Sequence, residues 1–129
     1  MKVLIPIDGE RISPVLDSAR CFVLVDARPD GPQFRRQVRI ADVDPVDKAK
    51  RIVELDASVL ICGAVSWSLE AMLASAGMRV IPNTCGLLDE VVNAFYSGYL
   101  TEQAFLMPGC PGRQHRQRHR RGKRWRNRW

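Results

Sequence analysis

Apolar residues change their spacing once along this 129-residue chain. In the first third they come in short runs bounded by turn residues. "KVLIPID" at 2–8 and "CFVLVDA" at 21–27 are rich in Val, Ile and Leu and predict two buried strands. "RPDGP" at 28–32 marks a tight hairpin. Beyond it, "QFRRQVRIADV" sets Phe34, Val38 and Ile40 among arginines, the pattern of a strand with one solvated face. Three strands joined in this way predict an antiparallel meander.

From residue 44 a helical period alternates with further short strands. "DPVDKAKRIVEL" offers Asp44 as N-cap, Pro45 at the first helical position and Asp47 in the first turn, with Ala49, Ile52 and Val53 on one apolar stripe. "ASVLICG" at 57–63 predicts a fourth strand, and "SWSLEAMLASAG" at 66–77 a second helix capped by Ser66 and stopped by Gly77. "MRVIPN" at 78–83 predicts a fifth strand and "GLLDEVVNAFYSG" at 86–98 a third helix. Strands separated by helices pair in parallel through right-handed crossovers. The expected fold class is α/β: a five-stranded mixed sheet in the chain order βββαβαβα, with helices on both faces, resembling the ribonuclease H-like architecture. One domain is expected over 1–108, followed by a basic, disordered C-terminal tail over 109–129.

Charge separates those two parts. The chain carries 20 Lys+Arg and 14 Asp+Glu, and nine of the basic residues lie in 113–129, where there is no acid. Residues 1–112 are left with a net charge of −3, so a basic partner surface belongs to the tail and not to the body. The run Val3 to Ile7 is too short for a signal-peptide core, and no later run approaches the roughly 18 apolar residues of a membrane span. A soluble cytoplasmic protein is expected. Its four cysteines, Cys21, Cys62, Cys85 and Cys110, show no CxxC pair and no zinc-ribbon spacing, and in a reducing compartment they begin as thiols.

The predicted topology gathers candidate chemistry at one end of the sheet. If the first strand runs up, the carboxyl ends of the first, fourth and fifth strands share an edge with Asp8 and Gly9, Cys21, Cys62 and Gly63, and Cys85 and Gly86. Ligands of α/β proteins bind at such edges. Helix N-termini after Gly63 and Gly86 add N–H groups and partial positive charge, which suit an anion or a thiolate. Each residue also has a plainer role: cysteine as a small buried hydrophobe, Asp8 and Asp17 as turn caps, Ser13-Pro14 as loop-shaping residues. A nuclease of the ribonuclease H type needs acids around paired magnesium ions, and "SVLICG" supplies none. No GxGxxG, GxxxxGK[ST] or GxSxG occurs, and both histidines, His115 and His119, lie in the tail. No catalytic constellation is visible, and a non-enzymatic protein is expected.

"DGERISPVLDSARCFVLVD", "VLICGAVS", "VIPNTCGLLDEVVNAF" and "FLMPGCPGR", in that order, resemble the dinitrogenase iron-molybdenum cofactor biosynthesis family, the small NifX-type proteins. The resemblance covers residue 1 to about residue 113. It implies a ribonuclease H-like fold without nuclease activity, binding an iron-molybdenum or related metal-sulfur cluster for carriage or storage, with cluster-assembly proteins as partners. Carried over residue by residue, the match covers Asp8, Gly9, Ile12, Ser13, Pro14 and Asp17 in the loop, Cys62, Gly63, Cys85 and Gly86 at the strand ends, and Met107, Pro108, Gly109, Cys110 and Gly112 before the tail. Among these the expected cluster contacts are Asp8, Ser13, Cys62, Gly63, Cys85, Gly86 and Cys110, with Cys62, Cys85 and Cys110 as metal ligands. Relatives of the nitrogenase type rely partly on a body histidine, which this chain lacks, and that favours a broader metal-cluster role. Cys110 then folds back to the edge while Arg113, Arg116, Arg118, Arg120 and Arg121 neutralise an anionic cluster. The competing expectation is a nucleic-acid-binding adaptor, in which the same arginines contact phosphates and Trp125 and Trp129 stack on bases.

Overall fold

A computed structural model describes residues 1–26 and 33–97. Its elements are β1 (Lys2–Asp8), β2 (Arg11–Ile12), β3 (Cys21–Asp26), β4 (Phe34–Arg39), α1 (Pro45–Glu54), β5 (Val59–Ile61), α2 (Trp67–Ser75), β6 (Arg79–Ile81) and α3 (Leu88–Ser97). The sheet order is β4-β3-β1-β5-β6, with β2 paired to the end of β1. The meander β1-β3-β4 is antiparallel, whereas β1-β5 and β5-β6 are parallel. The protein is thus a mixed α/β fold, with a mixed sheet and three helices among the described residues. The expected five strands become six, because the two residues of β2 pair with Ile7 and Asp8. A two-residue strand leaves no hydrophobic period to read.

Local chemistry explains the helix ends. The Asp44 carboxylate accepts from the N–H groups of Val46 and Asp47 at 3.1 and 3.2 Å, and the Ser66 hydroxyl accepts from Leu69 N–H at 3.3 Å. Gly77, at φ 89°, lets the chain leave α2 through a left-handed turn.

Both faces of the sheet are covered, which is why β1 and β3 read as unbroken apolar runs. Leu4, Phe22, Leu24 and Leu60 pack on one face with Ala49 and Ile52 of α1 and Leu69 and Leu73 of α2. Val3, Ile5, Val23, Val25 and Ile61 pack on the other with Val91, Val92 and Ala94 of α3. One stripe differs from expectation: Val53 is 40% exposed, and Lys48 is buried in its place. The Lys48 ammonium donates to the carbonyls of Asp17 and Ala19, the former at 3.0 Å, and lies 5.9 Å from the centre of the Phe22 ring. Backbone carbonyls supplied by a distant loop make that burial tolerable.

The same loop is held from its other side. Ser13 N–H donates to Pro6 O at 2.9 Å, Leu16 N–H to Ala64 O at 2.8 Å, and Ala64 N–H to Pro14 O at 2.8 Å. The chain passes so close to Gly63 that a Cβ there would lie 2.5 Å from Pro14 O and 2.7 Å from Ser13 O. No flexible side chain is available to yield, so Gly63→Ala is expected to destabilise by about 1–3 kcal/mol in urea unfolding. An unchanged midpoint would show that the loop does not rest on this glycine.

Lys48→Met keeps the side-chain volume but strands two carbonyls, at a cost of about 1.5–3 kcal/mol. Burial lowers the Lys48 pKa below the ordinary 10.5, against the opposing pull of Asp17. Between that lowered value and 10.5 the unfolded chain binds more protons than the folded one, so this group makes stability rise with pH across that window. The rise is expected to be smaller in Lys48→Met. Equal pH slopes for the two proteins would contradict it.

Candidate functional site

Three segments distant in sequence meet beyond the carboxyl ends of β1, β5 and β6, and backbone hydrogen bonds stitch them together. Ile12 N–H donates to Gly86 O at 3.0 Å, and Leu88 N–H to Glu10 O at 2.8 Å. Asn83 N–H donates to Gly63 O and Thr84 N–H to Cys62 O, each at 2.9 Å. Gly9 at φ 66°, Asn83 at φ 60° and Gly86 at φ 129° supply the left-handed turns that let the three segments close on one another. Cys21 joins the same edge as the β3 residue opposite Ile7.

This arrangement brings Asp8, Ser13, Cys62, Gly63, Cys85 and Gly86 to one end of the sheet, as the topology predicted, but their side chains differ sharply in access. Cys62 is 0% exposed and packs in the core cluster that α1 and α2 cover. The close approach that Gly63 permits is made by the protein's own Ser13-Pro14 backbone. Cys85 is half-buried, whereas Cys21 and Asp8 are exposed. Ser13 is buried, with its hydroxyl 3.4 Å from Val15 O. Among the described residues, no three His, Cys, Asp or Glu side chains are grouped so that they could hold a metal ion. Cys110, Arg113, Arg116, Arg118, Arg120 and Arg121 lie outside the described residues, as does the expected boundary near 108.

The protein itself occupies part of the helix-terminal hydrogen-bonding capacity. Asp17 accepts from Ser66 N–H at 2.7 Å, the capping role open to it from its sequence. The first N–H groups of α2, from Trp67 and Ser68, meet no acceptor among the described residues. They carry the partial positive charge of the helix end, a polarity that favours anions.

Sequence reading missed the apolar rim of this edge. Trp67 is 84% exposed at the first position of α2, Val15 bridges to Ala64 while partly exposed, and Leu87 bridges to Arg11 in the same state. One signal was available for Trp67: it lies two residues before Leu69, so it falls on the opposite side of the helix from the Leu69–Leu73 stripe. An exposed indole beside unpaired N–H groups gives the edge both an apolar and an anion-attracting component. Among the described residues no helix is long and apolar enough to cross a membrane.

Among curated proteins none matches the chain. Solved structures do. The apo form of the orange protein from Desulfovibrio gigas is 21% identical, with a TM-score of 0.63 over 87% of this chain and 96% of that one. A Thermotoga protein provisionally named NifB is 25% identical, with a TM-score of 0.57 over 76% and 89% of the two chains. A protein from Methanocaldococcus jannaschii, provisionally named a dinitrogenase, is 19% identical, with a TM-score of 0.63 over 77% and 90%. The dinitrogenase iron-molybdenum cofactor family matches residues 1–98, a span that includes all six strands and the stitched edge. The chain therefore belongs to the dinitrogenase iron-molybdenum cofactor family.

Proposed function

We propose that this protein binds an iron-molybdenum or related metal-sulfur cluster as cargo and carries or stores it without chemical turnover. The observation that carries the reading is family membership across residues 1–98. The sheet serves as a ribonuclease H-like platform, and its stitched edge is the cargo surface. Contacts are assigned to Asp8, Ser13, Cys62, Gly63, Cys85, Gly86 and Cys110. A soft thiolate suits iron and molybdenum-sulfur species, while outward N–H groups and arginines balance their negative charge.

Among the sulfurs assigned as ligands, access separates Cys85 from Cys62. Cys85, half-buried at the edge, is the first contact, and Cys110 reaches it from the tail. The buried Cys62 thiol takes part only when the Ser13-Pro14 passage over Gly63 lifts. Arg113, Arg116, Arg118, Arg120 and Arg121 supply counter-charge. Donor and acceptor are cluster-assembly proteins, and the site of action is the cytoplasm, where thiols stay reduced.

Anaerobic incubation with ferrous iron, sulfide and molybdate, followed by desalting, is the direct test. The expected result is stoichiometric iron or molybdenum with sulfur-to-metal charge-transfer absorption, weakened in Cys85→Ser and Cys110→Ser. Cys62→Ala keeps the core apolar and separates ligation from packing: retained loading with lowered stability assigns it to the core alone. Ending the chain after Gly112 is expected to lower cluster retention and its salt dependence. A colourless, metal-free protein after incubation would overturn the proposal.

A further inference from the structure

The two edges of the sheet are unequal. On one side it ends in β6, three residues long; on the other it ends in β4, six residues long and bonded only to β3 among the described residues. Ile40 N–H donates to Arg20 O at 2.8 Å, which fixes the alternation of the β3-β4 ladder. Phe34, Arg36 and Val38 turn their backbone groups toward β3, and Arg35, Gln37 and Arg39 turn theirs outward. No hydrogen bond from the described residues meets those outward groups.

Charge defines what fits there. β4 carries three arginines and no acid, and five of its six residues are exposed. Val38 packs with the cluster under α1 and α2, so Phe34 and Arg36 share that face while Arg35, Gln37 and Arg39 share the other. The Arg35 guanidinium bonds the Asp89 carboxylate, and Asp26 lies opposite Phe34 at the other end of the ladder. Arg36 and Arg39 make no ion pair among the described residues. Phe34, 58% exposed, adds an apolar contact at the start of the strand.

We infer that β4 is a docking edge for an extended acidic segment of a partner protein, which adds to the sheet as a further strand. Main-chain bonds to Arg35, Gln37 and Arg39 supply the pairing, and acids at alternate positions meet the guanidinium groups of Arg36 or Arg39. A second copy paired in full overlap is a poor occupant: pairing centred on Gln37 sets Arg35 opposite Arg39 twice, and like charges directly opposite repel. The chain's own residues 113–129, basic and without an acid, are repelled for the same reason. The inference stands whether or not the protein carries a cluster, since no residue of β4 is among the contacts assigned to the cargo, although Arg39 pairs with Cys21 at that end of the sheet.

The test uses the full chain and two labelled probes, a short peptide alternating glutamate with threonine and its lysine counterpart. Only the glutamate peptide is expected to raise fluorescence anisotropy, with affinity falling about tenfold or more as salt screens the contact. In the complex, amide exchange at Arg35, Gln37 and Arg39 is expected to slow by about tenfold or more, while Phe34, Arg36 and Val38 change little. Gln37→Pro removes an outward N–H that the ladder does not use, and abolishes binding. The double variant Arg36→Glu, Arg39→Glu abolishes it by charge. Binding of the lysine peptide, unchanged exchange at the three outward amides, or slowing that depends on protein concentration without peptide would each overturn the inference.

Discussion

Strand β1 is the member that every other layer needs. It bonds β3 along one side, β5 and β2 along the other, and has helices over both faces, so polar side chains are excluded between Val3 and Ile5. Even its proline obeys the ladder. Pro6 lies opposite Phe22 at a wide pair, where no N–H is required toward β3, and its carbonyl accepts from Ser13 on the other side. The bond from Ser13 turns the chain back over the sheet end, and the candidate edge begins there.

The loop that follows is fixed by two different kinds of force. Hydrogen bonds from Leu16 and Ala64 lock its backbone to the start of α2, and the buried Lys48 ammonium gathers its carbonyls from beneath. Charge is taken out of water for this purpose, which holds only because the carbonyls replace the lost solvation. Glycine at 63 then removes the last steric obstacle. Edge geometry therefore depends on α1, an element that contributes no residue to the edge.

The two halves of the sheet end differently. The parallel half of the sheet ends in thiols, glycines and helix N-termini, while the antiparallel half ends in an arginine-bearing edge strand. The two borders meet where Cys21 pairs with Arg39.

Much of the fold was legible because its determinants are local. Asp44 and Ser66 cap helices by bonds spanning two or three residues, Gly77 stops α2 by its own φ, and doubly covered strands announce themselves as apolar runs. Topology then placed Asp8, Cys62 and Cys85 at one edge from strand direction alone. What the sequence could not convey was which side chains reach the surface there. Cys62 and Cys85 occupy similar Cys-Gly dipeptides, yet one is sealed in the core and the other half-open, because strand alternation and the overlying loop act on Cys62 from residues almost fifty positions away. Lys48 shows the same limit, since a lysine is read as a surface residue until carbonyls 29 and 31 positions earlier are found around it. The sequence by itself determined element type, helix ends and the family. Tertiary structure alone decided burial, close approach and the pairing left open on β4 among the described residues, since those depend on contacts between parts of the chain that carry no mark of one another.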